Sequence, residues 1–84
     1  MTYQITLYSS KKCSFCFKQQ KWLERNNIPY VLKDISEDTF SKEMKSLKIP
    51  AVPFTIIKTK TDVISLLGFQ ESILEELLIS GSGY

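Results

Sequence analysis

The 84-residue chain has room for one domain around one hydrophobic core. With 43% hydrophobic and 24% charged residues it falls among folded globular chains and outside the disordered class. Eleven basic and nine acidic side chains leave a net charge of +2, too small and scattered for a nucleic-acid surface, and no apolar run reaches transmembrane length.

Tyr3, Ile5 and Leu7 share one parity and Thr2, Gln4 and Thr6 the other, which predicts a strand over about residues 2–8. Ser9-Ser10-Lys11-Lys12 reads as a loop. The stretch from Ser14 to Asn26 is rich in helix formers and free of proline, with Trp22 and Leu23 spaced to pack one face. Asn26-Asn27 can end this helix, because asparagine tolerates the left-handed conformation, and Pro29 opposes its continuation. Ile28 to Leu32 reads as a second strand.

Ser36 is a candidate N-cap for a second helix whose core stripe is Phe40, Met44 and Leu47. Pro50 closes that segment. Phe54–Ile57 and Val63–Leu66 read as two strands joined by the turn Lys58 to Asp62, an antiparallel hairpin. After Gly68, the residues Ile73, Leu74, Leu77 and Leu78 define one face of a final helix over Glu71 to Ile79. The order β-α-β-α-β-β-α predicts an α/β fold with a four-stranded mixed sheet flanked by three helices. Residues 1–80 form the domain, and 81–84 read as a loose tail.

The N-terminus lacks a basic stretch followed by a long apolar one, so it does not read as a signal peptide. A cytoplasmic location is expected, and there an ordinary structural disulfide is disfavoured. Cys13 and Cys16 therefore call for another role. Cys13-Ser14-Phe15-Cys16 falls where the first strand gives way to the first helix. Residues three apart at a helix start lie one above the other, which can bring two sulfurs within disulfide range. Cys13 faces the loop side and is the expected attacking thiol; Cys16, one turn inside the helix, is the expected resolver. Helix amides and the neighbouring Lys11 and Lys12 favour negative charge at the first position. Phe15 offers an aromatic surface beside the sulfur. With two cysteines and no histidine, the chain is poorly equipped for a four-ligand zinc site, and no metal is expected.

These features, taken in order, resemble the glutaredoxin family of the thioredoxin fold. The resemblance runs from Ile5 to Leu78. It rests on Lys11-Lys12-Cys13-Ser14-Phe15-Cys16, Lys21-Trp22-Leu23, Asn27-Ile28-Pro29-Tyr30, Lys33-Asp34-Ile35, Ala51-Val52-Pro53 and Gly68-Phe69. It implies a thioredoxin-like, glutaredoxin-type fold and a cis Val52–Pro53 bond that presents the Val52 backbone to an extended cysteine-containing ligand. Lys11, Phe15, Val52, Pro53, Gly68 and Phe69 become expected substrate contacts.

Glutathione-using members often carry a proline where Ser14 stands, a threonine where Ala51 stands, and a double glycine near the last helix. Gly68-Phe69 is closer to the small redoxins that supply electrons to ribonucleotide reductase and are recharged by thioredoxin reductase. Leu66 and Leu67 replace the tryptophan and serine usual there, and Gln70 and Glu71 an arginine and a proline. The resemblance thus implies a monomeric dithiol–disulfide oxidoreductase with no bound cofactor. Its reductant is thioredoxin reductase with NADPH, and its partner a protein disulfide such as that of ribonucleotide reductase. The alternative is a glutathione-dependent glutaredoxin, with Lys11, Lys48 and Val52 contacting glutathione. A chemically silent peptide-binding module and an iron–sulfur carrier are the remaining alternatives. Neither nucleic acid nor membrane is an expected partner.

Overall fold

The alternating N-terminal residues build an inner strand of the sheet. In a computed structural model describing residues 3–80, β1 (Gln4–Ser9) runs between β2 (Val31–Asp34) and β3 (Phe54–Lys58), and β4 (Val63–Leu67) borders β3. β2 is parallel to β1, while β3 and β4 each run antiparallel to their inner neighbour, so the sheet is mixed. Three helices are present among the described residues: α1 (Ser14–Arg25), α2 (Asp38–Ser46) and α3 (Glu71–Glu75), which passes directly into a π-helical turn at Glu76–Ser80. The expected α/β architecture and order are observed. Thr2 and the 81–84 tail lie outside the described residues.

Ile5 and Leu7 point into a core shared with Trp22, Leu23 and Ile28, and with Leu74 and Leu78. This core lies between the sheet and the α1 and α3 helices. Alternation ends at Tyr8 and Ser9, both buried, because the opposite face is covered there too. On that face the Tyr8 hydroxyl donates to Glu43 of α2, and Lys33 of β2 pairs with the same carboxylate at 2.5 Å. No helix of the described residues is long and apolar enough to cross a membrane.

Both longer helices end in the same hydrogen-bonded turn. After α1, Asn27 adopts φ 56°, its amide donates to Glu24 O, and the Ile28 amide donates to Leu23 O. After α2, Lys48 adopts φ 59°, with Lys48 N–H to Lys45 O and Ile49 N–H to Met44 O. This is the Schellman pattern, in which two otherwise orphaned carbonyls are satisfied and the next apolar residue folds back onto the helix.

Several boundaries differ from expectation. Ile28 belongs to the α1 turn, so β2 starts only at Val31. Ser36 does not cap α2; its amide donates to Asp34 Oδ1, and Glu37 takes the cap position. α2 has no fully buried residue and packs near the sheet edge, leaving Leu47 54% exposed. Ile73 is likewise on the surface, while Leu74 and Leu78 carry the packing of the last helix.

Candidate active site

The site forms where β1 stops and α1 starts. Cys13 is the residue before the first helical turn, with extended backbone (φ −107°, ψ 111°), and is held by its amide donating to Ser10 O at 3.1 Å. The Cys16 amide donates to Cys13 Sγ at 3.1 Å. The sulfur thus does the work of a serine or aspartate N-cap, accepting from one of the four orphaned amides of the helix start. Both cysteines are free thiols; Cys13 is half-exposed and Cys16 is 0% exposed. Burial pushes the Cys16 thiol above its ordinary value and its hydrogen bond to Cys13 adds to this, against smaller opposing contacts from the Ser10 backbone and the Ser9 side chain.

The second half of the site comes from the approach to β3. The Val52–Pro53 bond is cis, and Val52 O lies 3.9 Å from Cys13 Sγ. Pro53 is buried and its carbonyl accepts from the Gly68 amide at 2.8 Å. Gly68 has φ 82°, a conformation that glycine adopts without strain. Phe69 packs against the core from the next position. Cys13, Cys16, Val52, Pro53 and Gly68 are therefore joined through direct contacts.

The remaining expected contacts lie around this centre. Phe15 is 57% exposed, with Lys18 Nζ 5.1 Å from its ring centroid, so it offers an open aromatic face. Lys11 projects into solvent, 3.8 Å from Asp34, and borders a groove of about 270 Å³ together with Phe17, Gln20 and Leu32. Lys48 is an exposed residue at the end of α2, placed there by the helix-ending turn. Trp22 is buried in the core and serves as a packing anchor.

Sequence reasoning missed the polar residues behind the cysteines. Ser9 is buried and its hydroxyl accepts from Gln20 Nε2 at 3.0 Å. Gln19 and Thr55 are fully buried and bonded to each other at 2.6 Å. The available signal was parity. Gln19 is three residues after Cys16 on the packed face of α1, and Thr55 interrupts the apolar run of β3.

Known proteins share this arrangement of chain. The thioredoxin-like protein BC3987 superposes with a TM-score of 0.72 over 89% of this chain and 100% of its own, at 23% identity. Spinach chloroplast thioredoxin f gives 0.74 over 96% of this chain and 77% of its own, at 16% identity. At these identities the likeness is one of fold. The fold defines the class, a thioredoxin-like domain, here carrying a Cys-x-x-Cys dithiol pair.

Within that class the family is specific. Residues 5–61 match the Glutaredoxin family, and the chain belongs to it. Curated relatives include the global transcriptional regulators Spx 1 of Bacillus cereus (29% identical over 76 residues) and Spx of Enterococcus faecalis (34% over 79 residues). The matched regions take up 90% and 88% of this chain, but only 53% and 60% of those relatives.

Proposed function

We propose that the protein is a dithiol electron donor to protein disulfides, with Cys13 attacking and Cys16 resolving. One observation carries the reading: Cys13 is partly exposed while Cys16 is buried. Cys13 keeps part of its surface in solvent and faces the Val52 carbonyl, whereas Cys16 is fully buried. Cys13 thiolate attacks one sulfur of the partner's disulfide, and the other sulfur departs as a thiolate. Cys16 then attacks Cys13 Sγ, the Cys13–partner bond breaks, and the partner leaves as a dithiol. Two electrons have moved to the partner and the domain is left with a Cys13–Cys16 disulfide. Because Cys16 is tethered beside the intermediate, this second step is effectively unimolecular.

The reductant proposed is thioredoxin reductase with NADPH, and the proposed client is a protein disulfide of the ribonucleotide reductase kind. The Gly68-Phe69 pair supports this choice, as do Ser14 and Ala51 at positions where glutathione-using relatives often differ. Glutathione is the alternative reductant. The deciding experiment oxidises the protein and follows its reduction by thioredoxin reductase with NADPH and, separately, by glutathione. Faster reduction by the reductase is expected; reduction by glutathione alone would replace this assignment.

A second reading is favoured by the curated relatives, since both of those described above are named as global transcriptional regulators. Here the same cysteine pair would report redox state to a bound partner and turn over little. Under this reading Cys13→Ser abolishes redox response but keeps partner binding. Under the first, it abolishes disulfide reduction itself.

A further inference from the structure

Behind the cysteine pair lies a polar contact that the thiol exchange described above leaves unused. Gln19 of α1 and Thr55 of β3 are both 0% exposed. Gln19 Nε2 donates to Thr55 Oγ1 at 2.6 Å, while Gln19 Oε1 is buried with no hydrogen-bond partner among the described residues. In this orientation the unpaired end is the acceptor; turned over, Oε1 would accept from the Thr55 hydroxyl and Nε2, with its two hydrogens, would be the unpaired end. A buried acceptor without a donor is costly, and a methionine of nearly the same shape would fill the place without that cost.

The position of this acceptor is informative. Gln19 follows Cys16 by three residues on one helix, so the two side chains leave the same face one turn apart. Both are completely buried between α1 and the sheet. Thr55 is two residues beyond Pro53, so the Gln19–Thr55 bond ties the helix that carries Cys16 to the strand that carries the Val52–Pro53 ledge. In the dithiol the Cys16 amide donates to Cys13 Sγ at 3.1 Å, and the two thiols lie one helical turn apart. Once Cys13 is held in a mixed disulfide, its sulfur is a poor acceptor and the Cys16 S–H needs one elsewhere.

We propose that Gln19 is a positioning residue for the resolving step. Its amide oxygen accepts the Cys16 S–H, directly or through one buried water, while Cys13 is in the mixed disulfide. Thr55 holds the amide in place. This fixes the rotamer in which the Cys16 sulfur faces Cys13. Resolution forms the Cys13–Cys16 bond and breaks the Cys13–partner bond, and the Cys16 proton leaves with the departing partner thiolate. Gln19 neither gains nor loses a proton. The inference rests on the dithiol reading given above.

The test mixes the reduced 84-residue protein, in excess, with 5,5′-dithiobis(2-nitrobenzoate) and follows release of the coloured thiolate by stopped flow. The first release reports attack by Cys13; the second reports resolution by Cys16. Gln19→Met is expected to leave the first release unchanged and slow the second about tenfold, the effect of one lost hydrogen bond to a reacting group. Gln19→Glu, which keeps the acceptor oxygen, is expected to recover most of the second rate. Thr55→Val keeps Gln19 but frees its amide, so the second release slows by a smaller factor. That variant decides the matter if Gln19→Met does not fold. A purely structural role would move both releases together. An unchanged second release in the folded variants, or equal slowing of both, overturns the proposal while leaving dithiol chemistry intact. A wild-type protein that gives no second release overturns the dithiol reading and this proposal with it.

Discussion

The Cys16 amide donates to the Cys13 sulfur at 3.1 Å, so the active-site spacing is also the spacing of a helix cap. An N-cap side chain accepts from the amide two or three residues on. Cys13 and Cys16 are three apart, and the residue that caps the helix is also the one proposed to attack the substrate. Serine can take over the first role but not the second. Cys13→Ser and Cys13→Ala should both abolish disulfide exchange, yet the alanine variant should be less stable than the serine variant by about 1 kcal/mol. Urea unfolding of the reduced proteins measures the difference; equal stabilities would show that the sulfur contributes nothing as a cap.

Replacing Cys16 by serine removes the proposed resolver but keeps a small polar group near the Ser9 side chain and the Ser10 backbone, both of which act on the native thiol. The variant should form mixed disulfides at Cys13 and then stall, with reduction of protein disulfides falling by about 10²-fold or more as the intramolecular step is lost. Mass spectrometry of the trapped adduct checks the site, and turnover checks the magnitude. Undiminished turnover would remove Cys16 from the mechanism.

Lys48 has φ 59° without being glycine or asparagine. The left-handed region strains a residue that carries a Cβ, whereas glycine enters it freely. Lys48→Gly should therefore raise stability, by about 0.5–1 kcal/mol once the greater freedom of glycine in the unfolded chain is deducted. Reduction of glutathione mixed disulfides should stay within about twofold of the wild type, because a single exposed charge contributes little. A marked rise in KM for the glutathione substrate would instead make Lys48 a binding residue.

Two tyrosines, Tyr8 buried and Tyr30 half-buried, predict loss of stability in alkali. Burial, reinforced by hydrogen bonds to Glu43 and Glu24, pushes Tyr8 and Tyr30 from 10.0 up to about 12. Above pH 10.0 the unfolded chain gives up protons that the folded chain retains, so stability is fully present below that pH and declines toward pH 12. Tyr8→Phe and Tyr30→Phe should each flatten the decline in a plot of melting temperature against pH. At the acid end, hydrogen bonds from Lys33 and Tyr8 hold Glu43 below 4.5. Its contribution is present above that value and is lost as pH falls through the lowered one, so Glu43→Gln should weaken the acid dependence.

Much of this was legible in the sequence because it is local. Cys13 and Cys16 are separated by one helical turn, and Ile5 and Leu7 by one strand repeat, so periodicity alone places them. Asn26-Asn27 announced the end of α1 through asparagine's tolerance of positive φ. Lys48 makes the same turn without any such signal, since its conformation is imposed by Ile49 folding back to Met44 O. Leu47 fits a helical stripe, but a helix near the sheet edge cannot bury that position. The Gln19–Thr55 bond joins residues 36 apart and depends on how α1 lies over β3, which no single segment encodes.

The ledge beside Cys13 has one further effect, on the kind of chain that can lie against it. Pro53 has no amide hydrogen, and its carbonyl is already engaged by Gly68 at 2.8 Å. What faces the reactive sulfur from this segment is the Val52 carbonyl, an acceptor. A strand docking there has to bring an N–H of its own, and a proline at that place brings none. If the domain reduces protein disulfides as proposed, it would sort them by main-chain chemistry, turning away those with a proline beside the target cysteine.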